Sequence, residues 1–134
     1  MFIVGQALGL INMAYKERRR IVKIKRTKII LKILQLFYEE GLIRGYSLTA
    51  DLKNVFIFLK YYDNKPLIKG FKIFSNARKK IYISSNLLFK YIISKGLFLI
   101  STHKYGLIFS ARMSRKNINF FQKTGGELLL KLYV

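Results

Sequence analysis

The chain has 134 residues, a length that suits one compact domain or two small lobes. Lys and Arg number 26 against 6 Asp and Glu, a formal net charge of +20, yet 51% of residues are apolar and 15% aromatic. That apolar content excludes a disordered basic tail, and the uncompensated charge implies a polyanionic partner, nucleic acid first and an anionic membrane surface second. Cysteine is absent, which removes disulfide frameworks, thiolate zinc sites and cysteine nucleophiles. One histidine and six scattered acids are poor raw material for acid–base or metal chemistry. No enzyme, no cofactor and no metal site are expected.

From the N-terminus, Met1 to Tyr15 is the longest uncharged stretch. It is too short to span a bilayer, which takes about 18 to 20 residues. Its charges, Lys16 to Arg20, follow rather than precede it, so neither a secretory signal nor an Arg/Ser-rich presequence is expected. Val4, Ala7, Leu8, Ile11 and Tyr15 fall on one helical stripe. That stripe fits a packed helix, or a segment lying on a membrane. A basic extended stretch, Arg18 to Lys25, carries Ile21, Val22 and Ile24 and predicts a short strand. Thr27 is placed to cap a helix over Lys28 to Glu40, with the stripe Ile30, Ile33, Leu34, Phe37 and a C-terminal stop at Gly41.

Strand candidates follow at Tyr46 to Leu52, Val55 to Tyr62 and Leu67 to Phe74. The turn Asp63-Asn64-Lys65-Pro66 predicts that the last two form an antiparallel hairpin. A loop Ser75 to Lys80 leads to a short strand Ile81 to Ile83, and a third helix runs from Ser84 or Ser85 to Ser94. Leu97 to Ile100 predicts a buried strand, then a polar turn from Ser101 to Gly106, with Leu107 to Phe109 pairing back. A basic helix over Ser110 to Lys123 and a turn at Thr124-Gly125-Gly126 precede a last strand, Glu127 to Val134. The order of elements indicates an α+β fold of two lobes, 1–75 and 76–134.

Two short motifs stand out. Ser101-Thr102-His103-Lys104-Tyr105-Gly106 puts two hydroxyls, basic residues and a glycine at a strand end, a group able to bond phosphate and 2′-hydroxyl oxygens. An ordinary solvated turn has the same composition. His103 has no acid or nucleophile near it in sequence and reads as an RNA or solvent contact. Gly125-Gly126-Glu127 allows close backbone approach, and its carboxylate suits a basic neighbour, a guanine edge or a 2′-hydroxyl; a turn with a local ion pair fits equally. Basic clusters at Lys16 to Lys28, at Arg78, Lys79 and Lys80, and at Arg112, Arg115, Lys116 and Lys123 outnumber any opposite charge and favour polyanion contact. Tyr82 and Tyr105 lie beside clusters where they could stack on unpaired bases; core packing is as good a reading for Tyr82. The six acids show no spacing that would hold the metals of a nuclease.

Read in order, these segments resemble the family of small ribosomal subunit protein eight, nearly end to end. Asn12-Met13-Ala14 stands where the family closes its first helix with an Asn-Ala type pair, and Glu40-Gly41-Leu42-Ile43 where it has Glu-Gly-Tyr-Ile. Lys69-Gly70 matches a Lys-Gly motif, and Ser75 through Tyr82 a Ser-x-Pro-Gly-x-Arg-x-Tyr segment. The specific part is C-terminal: Gly96, Leu97, Ser101-Thr102-His103 and Gly106, then Gly125-Gly126-Glu127. Departures are His103 for a hydroxyl, Tyr105 inserted before Gly106, Ala77-Arg78 for Pro-Gly, and a longer segment from Gly106 to Gly125.

The resemblance implies a non-catalytic structural protein that binds the central domain of small-subunit rRNA, contacts neighbouring ribosomal proteins and supports subunit assembly. It places the RNA-binding residues at Ser101, Thr102, His103, Lys104, Gly106, Gly125, Gly126 and Glu127, with Ser75, Arg78, Lys80 and Tyr82 beside them. Heavy use of Lys, Ile, Phe and Asn suits an AT-rich organellar genome, so a mitochondrial ribosome and an organelle-encoded chain are expected ahead of a plastid or bacterial one. The alternative is a basic peripheral membrane-surface protein anchored by its first helix.

Overall fold

A computed structural model of the chain describes residues 2–74, 79–84, 97–102, 106–109 and 126–134. The chain divides into two compact units, Phe2–Lys69 and Gly70–Val134.

The first unit opens with helix α1, Phe2–Lys16. Val4, Ala7, Leu8, Ile11, Ala14 and Tyr15 recur at helical spacing and are buried. The helix ends where Arg18 takes a left-handed φ of 56°. Strand β1, Ile21–Lys25, alternates as expected of a half-buried strand, with Val22 and Ile24 inward and the lysines outward. Helix α2, Lys28–Glu39, is capped by Thr27, whose hydroxyl accepts from the Ile30 amide at 3.2 Å. Ile30, Ile33, Leu34, Leu36 and Phe37 are buried along one stripe. Gly41 follows with a φ of +73°, the left-handed stop the sequence predicts. Each fully buried Leu, Ile or Phe here contributes about 1.5 to 3 kcal/mol by leaving water.

Strand β2, Ile43–Leu48, and strand β3, Asn54–Leu59, complete a three-stranded antiparallel sheet ordered β1-β3-β2. Two expectations are corrected here. The strand expected at Tyr46 to Leu52 lies earlier, because Thr49 to Lys53 is a turn. Thr49 Oγ1 donates to the Asp51 carboxylate and accepts from the Asn54 amide, and Leu52 has a φ of 60°. The long hairpin of Val55–Tyr62 with Leu67–Phe74 does not form. Both edges of β3 are taken, by β1 and by β2. Only a two-residue ladder flanks the turn: β4, Tyr61–Tyr62, against β5, Lys65–Pro66. Asp63 and Asn64 between them have φ values of 51° and 60°, as a tight type I′ hairpin turn requires.

Among the described residues, the second unit forms a five-stranded antiparallel sheet. Its strands are β6, Gly70–Ile73; β7, Tyr82–Ile83; β8, Leu97–Thr102; β9, Gly106–Phe109; and β10, Gly126–Tyr133. The long strand β10 is the spine. Along one edge it takes β6 and then β7, along the other it takes β8, and β8 takes β9. Thus the segment expected to fold back on β3 pairs instead with β10, some sixty residues later in the chain. Strand β8 extends through Ser101 and Thr102, two residues further than expected. Leu99, Ile100, Phe109, Leu128, Leu130 and Leu132 are almost fully buried. A register shift between Leu128 and Leu130 marks a bulge in β10. The helix expected from Ser84 or Ser85 to Ser94 lies, beyond Ser84 itself, outside the described residues, and so does the one expected over Ser110–Lys123.

Candidate nucleic-acid interface

Sheet pairing gathers the described site residues at one end of the second unit. Glu127 on β10 lies opposite Tyr82 on β7 and opposite Ser101 on β8. The next row joins Ile83, Gly126, Thr102 and Gly106. Residues far apart in sequence are therefore cross-strand neighbours, roughly 4.5 to 5.5 Å apart at Cβ. In an antiparallel sheet directly opposed side chains share a face, so Tyr82, Glu127 and Ser101 present one phenol, one carboxylate and one hydroxyl side by side. Tyr82 is 68% exposed. That exposure decides between the two readings of Tyr82 in favour of the surface. Glu127 and Ser101 are half-buried.

The second row works differently. Thr102 is buried, and its hydroxyl donates to the Gly106 carbonyl at 3.0 Å. This bond ties the end of β8 to the start of β9. Gly106 has a φ of +70°, which a side chain would strain, and open space where a Cβ would go. Gly126 is constrained by crowding: a Cβ there would meet the Ser101 carbonyl oxygen at 2.7 Å and Ile100 Cγ2 at 2.9 Å. The second glycine of the Gly-Gly pair thus lets β10 lie close against β8. Lys79 and Lys80 are exposed and lead straight into β7, within three residues of Tyr82. Ser75, Arg78, His103, Lys104 and Gly125 lie outside the described residues.

The basic surface extends beyond the clusters evident in sequence. Lys131 faces Lys72 across the β10–β6 pair and Phe98 across the β10–β8 pair. Its ammonium stands 5.1 Å from the ring centroids of both Phe98 and Tyr133, and Lys72 stands 5.4 Å from Phe74. Such contacts hold a cation over an aromatic face without neutralising it. Sequence reasoning passed over Lys72 and Lys131 because each is isolated among apolar residues; only strand pairing brings them together. In the first unit, Lys23 and Lys25 line the outer side of β1. Arg19 pairs with Glu17 at 2.6 Å, an exposed contact worth little. Hydrogen bonds from the Thr49 hydroxyl and the Lys53 amide hold the Asp51 carboxyl below its ordinary range. Burial pushes the Tyr15 phenol up to about 12 and raises that of Tyr61, partly opposed in Tyr61 by Arg18.

Among the described residues, no group of three or more His, Asp or Glu is placed to hold a metal ion, and no helix is long and apolar enough to cross a membrane. The apolar stripe of α1 is packed inside its own unit.

Comparison with known proteins agrees with the motif order. The profile of a family described as Ribosomal protein S8 matches residues 3–133. The chain is 30% identical over 134 residues to small ribosomal subunit protein uS8m of Acanthamoeba castellanii, covering 98% of this chain and 99% of that one. It is 31% identical to uS8 of Neorickettsia sennetsu, over 98% and 97% of the two chains. It is 32% identical to uS8 of Acholeplasma laidlawii, over 94% and 92%.

Proposed function

Since this chain belongs to the ribosomal protein S8 family, a structural and not an enzymatic family, we propose that it binds the central domain of small-subunit rRNA and helps that subunit assemble. The observation that carries this reading is the convergence at one sheet end of Tyr82, Ser101, Thr102, Gly106, Gly126 and Glu127, with Lys80 beside them. The exposed phenol supplies a stacking face. Glu127 and Ser101 supply an acceptor and a donor–acceptor for 2′-hydroxyls and base edges in a shallow RNA minor groove. Thr102, Gly106 and Gly126 shape the backbone that presents them. Ser75, Arg78, His103, Lys104 and Gly125 belong to the same proposed contact by their place in the family motifs. The lysines provide attraction to phosphate whatever the sequence.

Membership of this family supports neighbouring ribosomal proteins as further partners. The likeness to uS8m, together with the Lys-, Ile-, Phe- and Asn-rich composition, supports a mitochondrial ribosome as its location and an organellar gene as its source. Filter binding to a matching rRNA fragment and to a scrambled one of equal length tests the site. Ser101→Ala and Glu127→Gln should each weaken the matching RNA by about 1 to 3 kcal/mol, the scale for lost charged or buried hydrogen bonds, and leave the scrambled RNA unaffected. Equal loss on both RNAs would refute a specific role.

A further inference from the structure

A second basic feature lies wholly within the Phe2–Lys69 unit. Arg18, Arg20, Arg44 and Lys60 line an open cleft of about 560 Å³ together with Leu59, Tyr61 and Asn64. The four cations come from three places in the chain. Arg18 and Arg20 precede β1, Arg44 lies in β2, and Lys60 follows β3. Because the sheet order is β1-β3-β2, the arginines reach the end of β3 from both of its sides.

Three departures from regular backbone deliver these residues. Arg18 is left-handed, a conformation a non-glycine residue enters only when its surroundings impose it. Arg44 falls at the register shift between Ile43 and Gly45, where a bulge re-aims a side chain. Asn64 is left-handed in the β4–β5 turn. The wall behind them is fixed. The Tyr61 hydroxyl donates to the Arg19 carbonyl at 2.5 Å, its ring meets Tyr15 edge-on at 5.4 Å, and the Leu59 amide donates to the Arg20 carbonyl at 2.8 Å.

No carboxylate is among the lining residues; of the two acids adjacent to them in sequence, Glu17 is paired with Arg19 and Asp63 sits beside Asn64 in the β4–β5 turn. Four cations held around one opening concentrate positive potential and attract anions. The opening is broad, and its lining lacks the glycine-rich loop and helix start of a nucleotide pocket. It is continuous in the chain with the exposed lysines of β1. Guanidinium groups match phosphate oxygens two at a time.

We propose that this cleft clamps successive backbone phosphates of an RNA strand, giving the N-terminal unit its own RNA contact, separate from the residues on β7, β8 and β10. The proposal rests on the reading of the chain as RNA-binding, not on the site in the second unit.

The test compares the full chain with an Arg20→Gln/Arg44→Gln variant, reading fluorescence anisotropy of a matching rRNA fragment across salt concentrations. Both side chains are exposed, so folding should survive; matching far-UV circular dichroism and melting establishes it. The Gln pair should weaken binding about tenfold near 0.1 M salt and flatten the log affinity against log salt by about 1.5, the loss of two phosphate contacts. An Arg20→Lys/Arg44→Lys variant should retain most of that slope. Vesicles rich in phosphatidylglycerol should not bind in an Arg20- and Arg44-dependent manner. An unchanged slope in the Gln variant while the parent binds RNA would overturn the cleft alone. Failure of the parent to bind RNA would overturn the broader reading first. Vesicle binding lost in the Gln variant, with RNA binding intact, would assign the cleft to a lipid headgroup and overturn the proposal.

Discussion

Replacing Gly126 with alanine tests how tightly the site end of the second sheet is built. The added Cβ would lie 2.7 Å from the Ser101 carbonyl oxygen, 2.9 Å from Ile100 Cγ2 and 3.2 Å from Thr102 Cγ2, where ordinary contact begins near 3.4 Å. The Ser101 oxygen is backbone in the strand that pairs along β10, so it must shift by about 0.7 Å, the difference between 3.4 and 2.7 Å. Ile100 is fully buried and β-branched, with little freedom to turn aside. Overpacking of this kind costs about 1 to 3 kcal/mol, offset by about 0.5 to 1 kcal/mol from the stiffer unfolded chain. The net loss at mid-range, about 1.3 kcal/mol, corresponds to a fall in Tm of about 4 to 5 °C if the chain melts as one transition. Thermal melting followed by far-UV circular dichroism, with urea titration beside it, measures this. The displaced carbonyl belongs to Ser101, so the same variant should lose affinity for matching rRNA beyond its loss for a scrambled one. A Tm equal to or above that of the parent would refute the close-approach argument.

Thr27→Ala removes the hydroxyl that caps α2 and should cost about 1 kcal/mol, read as a lower urea midpoint at unchanged slope. Phe37→Ala opens the most buried aromatic position of the first unit and should cost about 3 to 5 kcal/mol in the same assay; a loss near 1 kcal/mol would contradict the packing described. Asp51 titrates below its ordinary 3.8 because Thr49 and the Lys53 amide bond its charged form, so its contribution is present above that value and lost as pH falls through the lowered one. Thr49→Val should return the Asp51 midpoint toward 3.8 in an NMR titration, and an unmoved midpoint would show that the hydroxyl is not responsible.

Local pattern made the first unit readable. The stripe of α1, the Thr27 cap, the stripe of α2 and the stop at Gly41 are all set by neighbours within a few residues, and each forms as expected. The hairpin expected over 55–74 failed for a non-local reason. Aromatic and branched runs on both sides of a good turn look self-complementary, but β1 and β2 occupy both edges of β3, and β10 claims β6. Nothing near residue 70 announces a partner near residue 130. The motifs name the residues of the proposed site, but how those residues pack was not legible in them. Thr102 reads as an exposed hydroxyl in sequence and is buried against Gly106 in the fold. Gly126 reads as a turn glycine and is a packing one. Arg44 and Lys60 stand alone in sequence, and only sheet order with a bulge brings them to Arg18 and Arg20.

The most direct measurement follows a tagged copy of the chain, expressed in the cell that encodes it, through a sucrose gradient under subunit-dissociating conditions. The chain should peak with small-subunit rRNA and stay there through a second gradient at moderate salt. A chain that remains at the top of the gradient, or floats with membranes while that rRNA sediments without it, would contradict the account.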